Sequence, residues 1–490
     1  MKLVIAGGGG FRVPQIVEVL AAAREGKGTH PGLVVDEVCL YDISTSRLGV
    51  MAAVLRDLDF PRAPRVTTTT DLREAVRGAD FVFSAIRVGG TCGRVLDERI
   101  ALEQGVLGQE TVGAGGYAYA FRTIPVAMEL ARTVRDLAPE AWVINFTNPA
   151  GIITQAMRTV LGNRVVGICD TPIGLVRRAT AALGLGAGAV SGVDEGASAV
   201  SFDYVGLNHL GWLRSLEVGG EDRLPGLLGD DALLDHIEEA RVIGPDWVRA
   251  LGMLPNEYLF YYYLNRESVT RIREEEETRG QFLDRQQGEF YRAAAEHEYL
   301  AGKLWTQTHD EREATYMAEA RDESERDGRR EEDIAGGGYQ QVALDLMTAV
   351  STGAPARMIL DVANSDTPWA GATGPGATGS GATGSGAEAH PSGLLVPQLR
   401  EDAVVEVPCV VDAQGVHPLR VGALSGPELG LVTSVKGCEE LVIDAAFHGD
   451  KVLAWRALAS HPLVDSIRVA QRVLDGYIAE NPDIARVFGD

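Results

Sequence analysis

Long apolar runs are missing from this 490-residue chain. No stretch approaches the ~18 consecutive apolar residues of a spanning helix, which excludes one. Cysteine is scarce. The five thiols, Cys39, Cys92, Cys169, Cys409 and Cys438, are odd in number, widely spaced and never arranged as C-x-x-C. That excludes a zinc ribbon and a thioredoxin-like motif and makes reduced thiols the default. Basic charge is short as well. Against 69 Asp+Glu stand 45 Lys+Arg, a formal net charge of −24, which argues against a nucleic-acid-binding surface and a polybasic membrane patch. No long-period repeat occurs, so a solenoid is not expected. Residues Met1-Lys2-Leu3-Val4-Ile5-Ala6 run straight into four glycines. A secretory leader would extend its apolar stretch instead, so a cytoplasmic location is expected.

What is present is a globular composition, 45% hydrophobic and 23% charged, long enough for about three structural units or two with insertions. Apolar strand-like runs alternate with amphipathic segments over the first part of the chain. The predicted strands are Lys2–Ala6, Glu37–Tyr41, Arg65–Thr67, Phe81–Ala85, Trp142–Phe146 and Val165–Ile168; helical patterns cover Pro14–Arg24, Ser46–Leu58 and Tyr119–Leu137. This predicts an α/β, doubly wound parallel sheet of Rossmann type over 1–195, followed by a mainly helical α+β unit over 196–490. Ser198–Gly206 and Ala403–Val411 read as further strands, 225–345 as charged helices, and Cys438–Arg472 as helical. The acidic run Glu274–Glu277 reads as a solvated helix face. Residues 371–393 repeat Gly-Ala-Thr-Gly units with few large side chains, and His390 lies within them; such a segment is expected to be a flexible loop.

The first candidate site is the glycine turn. Gly7-Gly8-Gly9-Gly10-Phe11 follows a strand and opens a helix, where glycines let backbone approach a pyrophosphate and the helix N-terminus supplies free N–H groups. The spacing departs from G-x-G-x-x-G, with Arg12 or Val13 where the third glycine would fall. A second strand ends in Leu40-Tyr41-Asp42. A carboxylate at that tip accepts ribose hydroxyls and repels a 2′-phosphate, so NAD is favoured over NADP, with the nearby Arg47 as the counter-argument.

Further polar clusters follow predicted strands: Arg87-Val88-Gly89-Gly90 with Arg94-x-x-Asp97-Glu98, Gly108-Gln109-Glu110-Thr111, Asn145-Phe146-Thr147-Asn148-Pro149, Gly167-Ile168-Cys169-Asp170-Thr171-Pro172, Gly206-Leu207-Asn208-His209-Leu210-Gly211-Trp212 and Leu254-Pro255-Asn256-Glu257-Tyr258. In an open α/β sheet such groups gather at the carboxyl edge, where ligands bind. These motifs, in this order, resemble glycoside hydrolase family 4, the NAD- and divalent-metal-dependent glycosidases that depart from the two-carboxylate rule. The resemblance covers nearly the whole chain apart from the low-complexity run.

What the resemblance implies can be placed residue by residue. Cys169 and His209 match the metal ligands. Ligand softness alone points to Zn or Fe, whereas the resemblance implies Mn(II). Tyr258 matches the catalytic base, whose phenol needs a nearby cation to titrate usefully, and Glu110 a position that raises its basicity. Asp170 matches the proton donor. Arg94, Asn148 and Arg271 match substrate-holding positions, the 6-phosphate included, with Arg87 assisting; an arginine fork suits phosphate oxygens. The implied chemistry oxidises the sugar at C3 at the expense of NAD, removes the acidified C2 proton with Tyr258, expels the C1 group, adds water and returns the hydride. The Cys-Asp-Thr-Pro stretch matches neither anomeric group fully, while Gly-Leu-Asn-His-Leu-Gly-Trp is closer to the β-acting members. A 6-phospho-β-glucosidase is therefore expected, with a 6-phospho-α-glucosidase or an unphosphorylated glycosidase as alternatives. A homodimer or homotetramer is implied as well. Outside the family, an NAD-dependent hydroxyacid dehydrogenase would accumulate NADH, and a non-catalytic NAD sensor would bind without metal or turnover.

Overall fold

The computed structural model describes residues 1–186, 190, 200–316, 330, 338–365 and 393–489. The low-complexity run with His390 falls outside the described residues except for Gly393, as does the expected boundary at 195/196.

Six parallel strands build the first half of the sheet: β1 (Lys2–Ala6), β2 (Glu37–Tyr41), β3 (Arg65–Thr69), β4 (Phe81–Ser84), β5 (Trp142–Asn145) and β6 (Val165–Gly167). Their spatial order is β3-β2-β1-β4-β5-β6, the doubly wound arrangement whose switch point lies between β1 and β4. Both faces of the central strands are covered, so β1, β4, β5 and β6 are largely apolar and buried, whereas the edge strand β3 is polar and partly exposed. Alternate residues serve opposite layers. Leu3, Ile5, Phe81, Phe83 and Ile144 pack into one core cluster, and Val4, Ala6, Val82 and Val143 into the other. The predicted strands and helices recur with ends shifted by a few residues. The helix expected over Tyr119–Leu137 begins earlier, at Gly113, because Gly115 and Gly116 are not a turn. A Cβ on them would lie 2.4 Å from the Gln109 carbonyl oxygen and 2.6 Å from that of Thr111, so only glycine lets this helix seat against the Gln109–Thr111 loop.

The sheet does not stop at β6. It continues through β11 (Ala356–Ala363), β12 (Val404–Asp412), β7 (Val200–Leu207), β8 (Leu210–Val218) and β10 (Leu254–Pro255), all antiparallel, with β9 (Glu221–Asp222) beside β8 and β13 (Gly415–Pro418) beside β12. A single register contact, Asp361↔Gly167, joins β11 to β6 and so the two halves; another, Glu406↔Gly206, joins β12 to β7, and Asp361 faces Glu406 across the β11–β12 ladder. One row, Gly167–Asp361–Glu406–Gly206, therefore crosses the junction. The helical region expected from 225 onward is present, and the expected Cys438–Arg472 helix is three: Gly426–His448, Lys451–Ser460 and Ile467–Glu480. All five cysteines are free thiols, only Cys92 being exposed. Among the described residues no helix is long and apolar enough to cross a membrane.

Candidate active site

The glycine turn is built for close approach. Gly7 has φ +92°, and a Cβ there would meet the Ala85 carbonyl oxygen at 2.5 Å; one on Gly8 would meet Leu40 Cα at 2.6 Å. The turn is also gripped from the second half of the chain. Tyr291 Oη donates to the Gly9 carbonyl (2.7 Å), Trp305 Nε1 to that of Phe11 (2.7 Å) and Tyr339 Oη to that of Arg12 (2.9 Å). Asp42 sits at the β2 tip as expected, but its carboxylate already accepts the Gly9 N–H (3.0 Å) and the Ser44 N–H (2.9 Å). It fixes the turn while keeping lone pairs for a ribose. Arg47 does not pair with it; its guanidinium lies 4.3 Å over the Tyr291 ring.

At the carboxyl edge of β6, Cys169 is buried, with its Sγ 3.3 Å from Thr171 Oγ1. Burial foremost, then Glu406 and Asp170, push its thiol well up. His209 occupies the tip of the two-residue β7–β8 connection, at φ +66°. A non-glycine residue in this left-handed region stores roughly 1 kcal/mol or more of strain. Flanking glycines make the hairpin possible: a Cβ on Gly206 would collide with the Leu210 carbonyl oxygen and one on Gly211 with Tyr204 Oη. The His209 ring stacks on that of Tyr258 at 3.9 Å between centroids. Burial lowers its pKa to about 3 against the pull of Glu110, so the imidazole is neutral, the form that ligates metal.

Tyr258 follows β10, positioned by Asn256, whose Oδ1 accepts the Tyr258 N–H (3.0 Å) and whose Nδ2 donates to Thr171 Oγ1 (2.7 Å). The Tyr258 hydroxyl lies 3.2 Å from that of Tyr316, which donates to Glu257 (2.8 Å). Burial first, then Glu257, with Cys169 and Glu110 adding smaller contributions, raises the Tyr258 pKa far above the phenol range. As a base it therefore needs a cation beside it. Asp170 caps helix Thr171–Ala182 without a side-chain cap bond, so its carboxylate is not spent on that helix.

The structure thus draws Cys169, His209, Tyr258, Glu110 and Asp170 to one edge. A thiol and a neutral imidazole fit two ligands of one divalent ion, with the remaining positions open. Among the described residues no group of three or more His, Cys, Asp or Glu side chains is placed to hold an ion unaided. Glu110 bridges the two arginines expected near a phosphate, Arg87 Nη1 at 2.5 Å and Arg94 Nη1 at 2.8 Å, while Arg94 Nε also binds Glu98 at 2.6 Å. Burial would raise the Glu110 pKa, but Arg87 and Arg94 outweigh it and hold the carboxyl far below its usual range. Asn148 is half-buried beside this edge, its Oδ1 accepting the Ala150 N–H at 3.3 Å. Arg271, on helix Asn265–Glu274, does not line the cavity of about 250 Å³ beside Arg94. Arg279 does, with Gln109, Phe282 and Thr315. Arg12 and Arg312 do not line that cavity either, but their charges act on this edge, Arg12 with Asp170 and Arg312 with Glu110; sequence reading assigned neither. Arg12 carried one signal, its place where a third glycine was expected; Arg312 carried none.

Strand order and a cleft at the switch-point edge define a Rossmann-type α/β protein with an extended mixed sheet. The chain belongs to glycoside hydrolase family 4: residues 2–185 match the family 4 glycosyl hydrolase model, and residues 204–368 and 389–464 match that of its C-terminal domain. It is 28% identical to a probable 6-phospho-beta-glucosidase of Bacillus subtilis (97% of this chain, 95% of that one) and 28% identical to 6-phospho-alpha-glucosidase 1 of Lacticaseibacillus paracasei (98% and 97%). The structure of the 6-phospho-beta glucosidase from Thermotoga maritima with manganese, NAD+ and glucose-6-phosphate superposes with a TM-score of 0.74 at 25% identity, covering 99% of each chain.

Proposed function

We propose that this protein hydrolyses 6-phosphoglucosides, using NAD and a divalent ion, Mn(II) by preference, with β-glucosides as the favoured substrates. The observation that carries this reading is the meeting of Cys169, His209 and Tyr258 at the carboxyl edge, with the His209 and Tyr258 rings 3.9 Å apart. Gly7 to Phe11 and Asp42 would hold the dinucleotide; Cys169 and His209 would hold the ion. When bound, the two supply reversible hydride exchange with a sugar carbon and Lewis acidity toward sugar oxygens. The chain's own groups do the rest. Tyr258 takes the proton from the carbon next to the oxidised one, and Asp170 protonates the leaving oxygen. Glu110 keeps Arg87 and Arg94 in place and adds negative charge near Tyr258. Arg94, Arg279 and Asn148 hold the sugar. The α-glucoside reading stays open because relatives of both names match equally well.

The test is an assay of chromogenic α- and β-glucosides, each with and without 6-phosphate, supplied with NAD, Mn(II) and a thiol reductant. Turnover confined to phosphorylated β-glucosides and exchange of C2 deuterium with solvent are expected. Full retention of the label would rule the mechanism out. The homo-oligomer is part of the same proposal and is read by light scattering of the purified chain, as is cytoplasmic location by fractionation.

A further inference from the structure

Cys169, His209 and Tyr258 come from three separate elements, and one side chain reaches the surroundings of each. Asn256 is fully buried. Its backbone N–H donates to the Gly211 carbonyl (2.9 Å), two residues past His209 on the same hairpin. Its Oδ1 accepts the Tyr258 N–H (3.0 Å), and its Nδ2 donates to Thr171 Oγ1 (2.7 Å). At the longer distance of 3.5 Å, Nδ2 also reaches Tyr204 Oη, which donates to Glu406 at 3.0 Å. Thr171 Oγ1 in turn lies 3.3 Å from Cys169 Sγ.

The direction of these bonds is fixed from one end. A backbone N–H can only donate, so the Asn256 atom facing Tyr258 is its carbonyl oxygen, and the atom facing Thr171 is its amide nitrogen. That nitrogen can only donate as well, so Thr171 Oγ1 is the acceptor of the pair. Among the described residues Thr171 Oγ1 has no other hydrogen-bond partner than Asn256 and Cys169. The single hydroxyl proton of Thr171 is therefore left for the sulfur. A cysteine that ligates a metal does so as a thiolate. Cys169 is buried, away from water that could solvate one. Burial and the charges of Glu406 and Asp170 weigh against an ionised sulfur there, and the hydroxyl and backbone N–H of Thr171 weigh for it.

We propose that Thr171 and Asn256 are positioning residues for the Cys169 sulfur. Thr171 donates a hydrogen bond to the thiolate that ligates the divalent ion, and Asn256 holds the Thr171 hydroxyl in that direction while seating Tyr258 on its other side. This rests on Cys169 being a metal ligand, as in the function proposed above.

The full-length protein is titrated with two ions. Mn(II) gives affinity, from electron paramagnetic resonance of the free ion. Co(II) gives a charge-transfer absorption that reports the thiolate. Thr171→Val keeps the side-chain shape and deletes the hydroxyl. It is expected to weaken Mn(II) by roughly 10–100-fold, the usual worth of a group that orients a metal ligand. The cobalt band should move to longer wavelength, because a sulfur relieved of a hydrogen bond gives up its electron more readily. Thr171→Ser should keep both wild-type values. Asn256→Asp retains an acceptor for the Tyr258 N–H but presents a second acceptor to Thr171, turning the hydroxyl away from the sulfur. It should reproduce both changes with the hydroxyl still in place. If that buried variant fails to fold, Thr171→Val against Thr171→Ser remains decisive. Wild-type affinity and band in Thr171→Val overturn the proposal, as does weaker binding with an unmoved band, which a merely structural role would give. A folded Asn256→Asp with the wild-type spectrum overturns the part given to Asn256. The reading of the metal site fails separately, in the wild-type chain: no cobalt band, or one that survives Cys169→Ser, overturns both.

Discussion

Tyr258 is a buried phenol whose own surroundings disfavour its ionised form, since burial and Glu257 both raise its pKa. In the proposed role of base it would depend on a bound cation beside it. Tyr258→Phe is expected to lower kcat by roughly 10²–10⁴-fold, the usual worth of a general base, while NAD affinity measured by fluorescence titration stays unchanged. Chelating the metal should reduce turnover comparably without releasing NAD. A different residue governs acid stability. His461 is buried, its Nδ1 accepts the Leu463 N–H at 3.1 Å, and burial lowers its pKa from 6.5 to about 3. A histidine depressed in the folded state stabilises it above the unfolded pKa. That stability is lost as pH falls from 6.5 toward 3, by up to ~1.4 kcal/mol per pH unit. Urea melts at pH 7, 5 and 4 should show this slope, and His461→Gln should flatten it. Such residue-level chemistry was legible only in part. Cys169 and His209 stand out because each follows a strand in a distinctive run. Arg312 lies in the unremarkable stretch Asp310-Glu311-Arg312-Glu313 and gains its place only by folding over the Phe11 ring.

Among the elements, helix Gly113–Leu137 shows why boundaries mislead. Its first turn, Gly113-Ala114-Gly115-Gly116, has the composition of a loop, yet its glycines are there for a neighbour's carbonyls. Gly115→Ala forces a Cβ to 2.4 Å from the Gln109 oxygen. It is expected to destabilise the fold by about 1–3 kcal/mol and to displace the Gln109–Thr111 loop that carries Glu110, so that urea midpoint and kcat fall together. The same helix supplies Arg122, wholly buried and paired bidentately with Asp97 at 2.8 and 2.6 Å. Arg122→Leu leaves Asp97 uncompensated and should cost about 3–5 kcal/mol, read as a lower Tm. The central parallel strands were readable because burial on both faces makes them nearly continuous apolar runs. β11 was not, since its Arg357 and Asp361 interrupt the pattern and its pairing partner, β12, lies forty residues later in the chain.

Over the whole molecule, the junction row Gly167–Asp361–Glu406–Gly206 places two buried carboxylates face to face. Neither oxygen of Asp361 has a hydrogen-bond partner among the described residues. Burial raises both pKa values, and for Glu406 the charge of Asp361 adds to it. An acid raised in the folded state costs stability above its unfolded pKa, so the penalty grows with pH. Asp361→Asn is expected to stabilise the protein by on the order of 1 kcal/mol at pH 8 and by less at pH 5, as measured by denaturant midpoints. The doubly wound half could be anticipated from local pattern; the seam that welds the remaining strands to it is a product of long-range pairing and left no local trace. Nor did the three bonds from Tyr291, Trp305 and Tyr339 to the backbone of residues 9, 11 and 12. Because of them, the amino-terminal half cannot present a finished nucleotide pocket by itself. Excised, it would have a slack loop in place of a rigid one, so lesions far downstream in the chain should first be felt as weakened coenzyme binding.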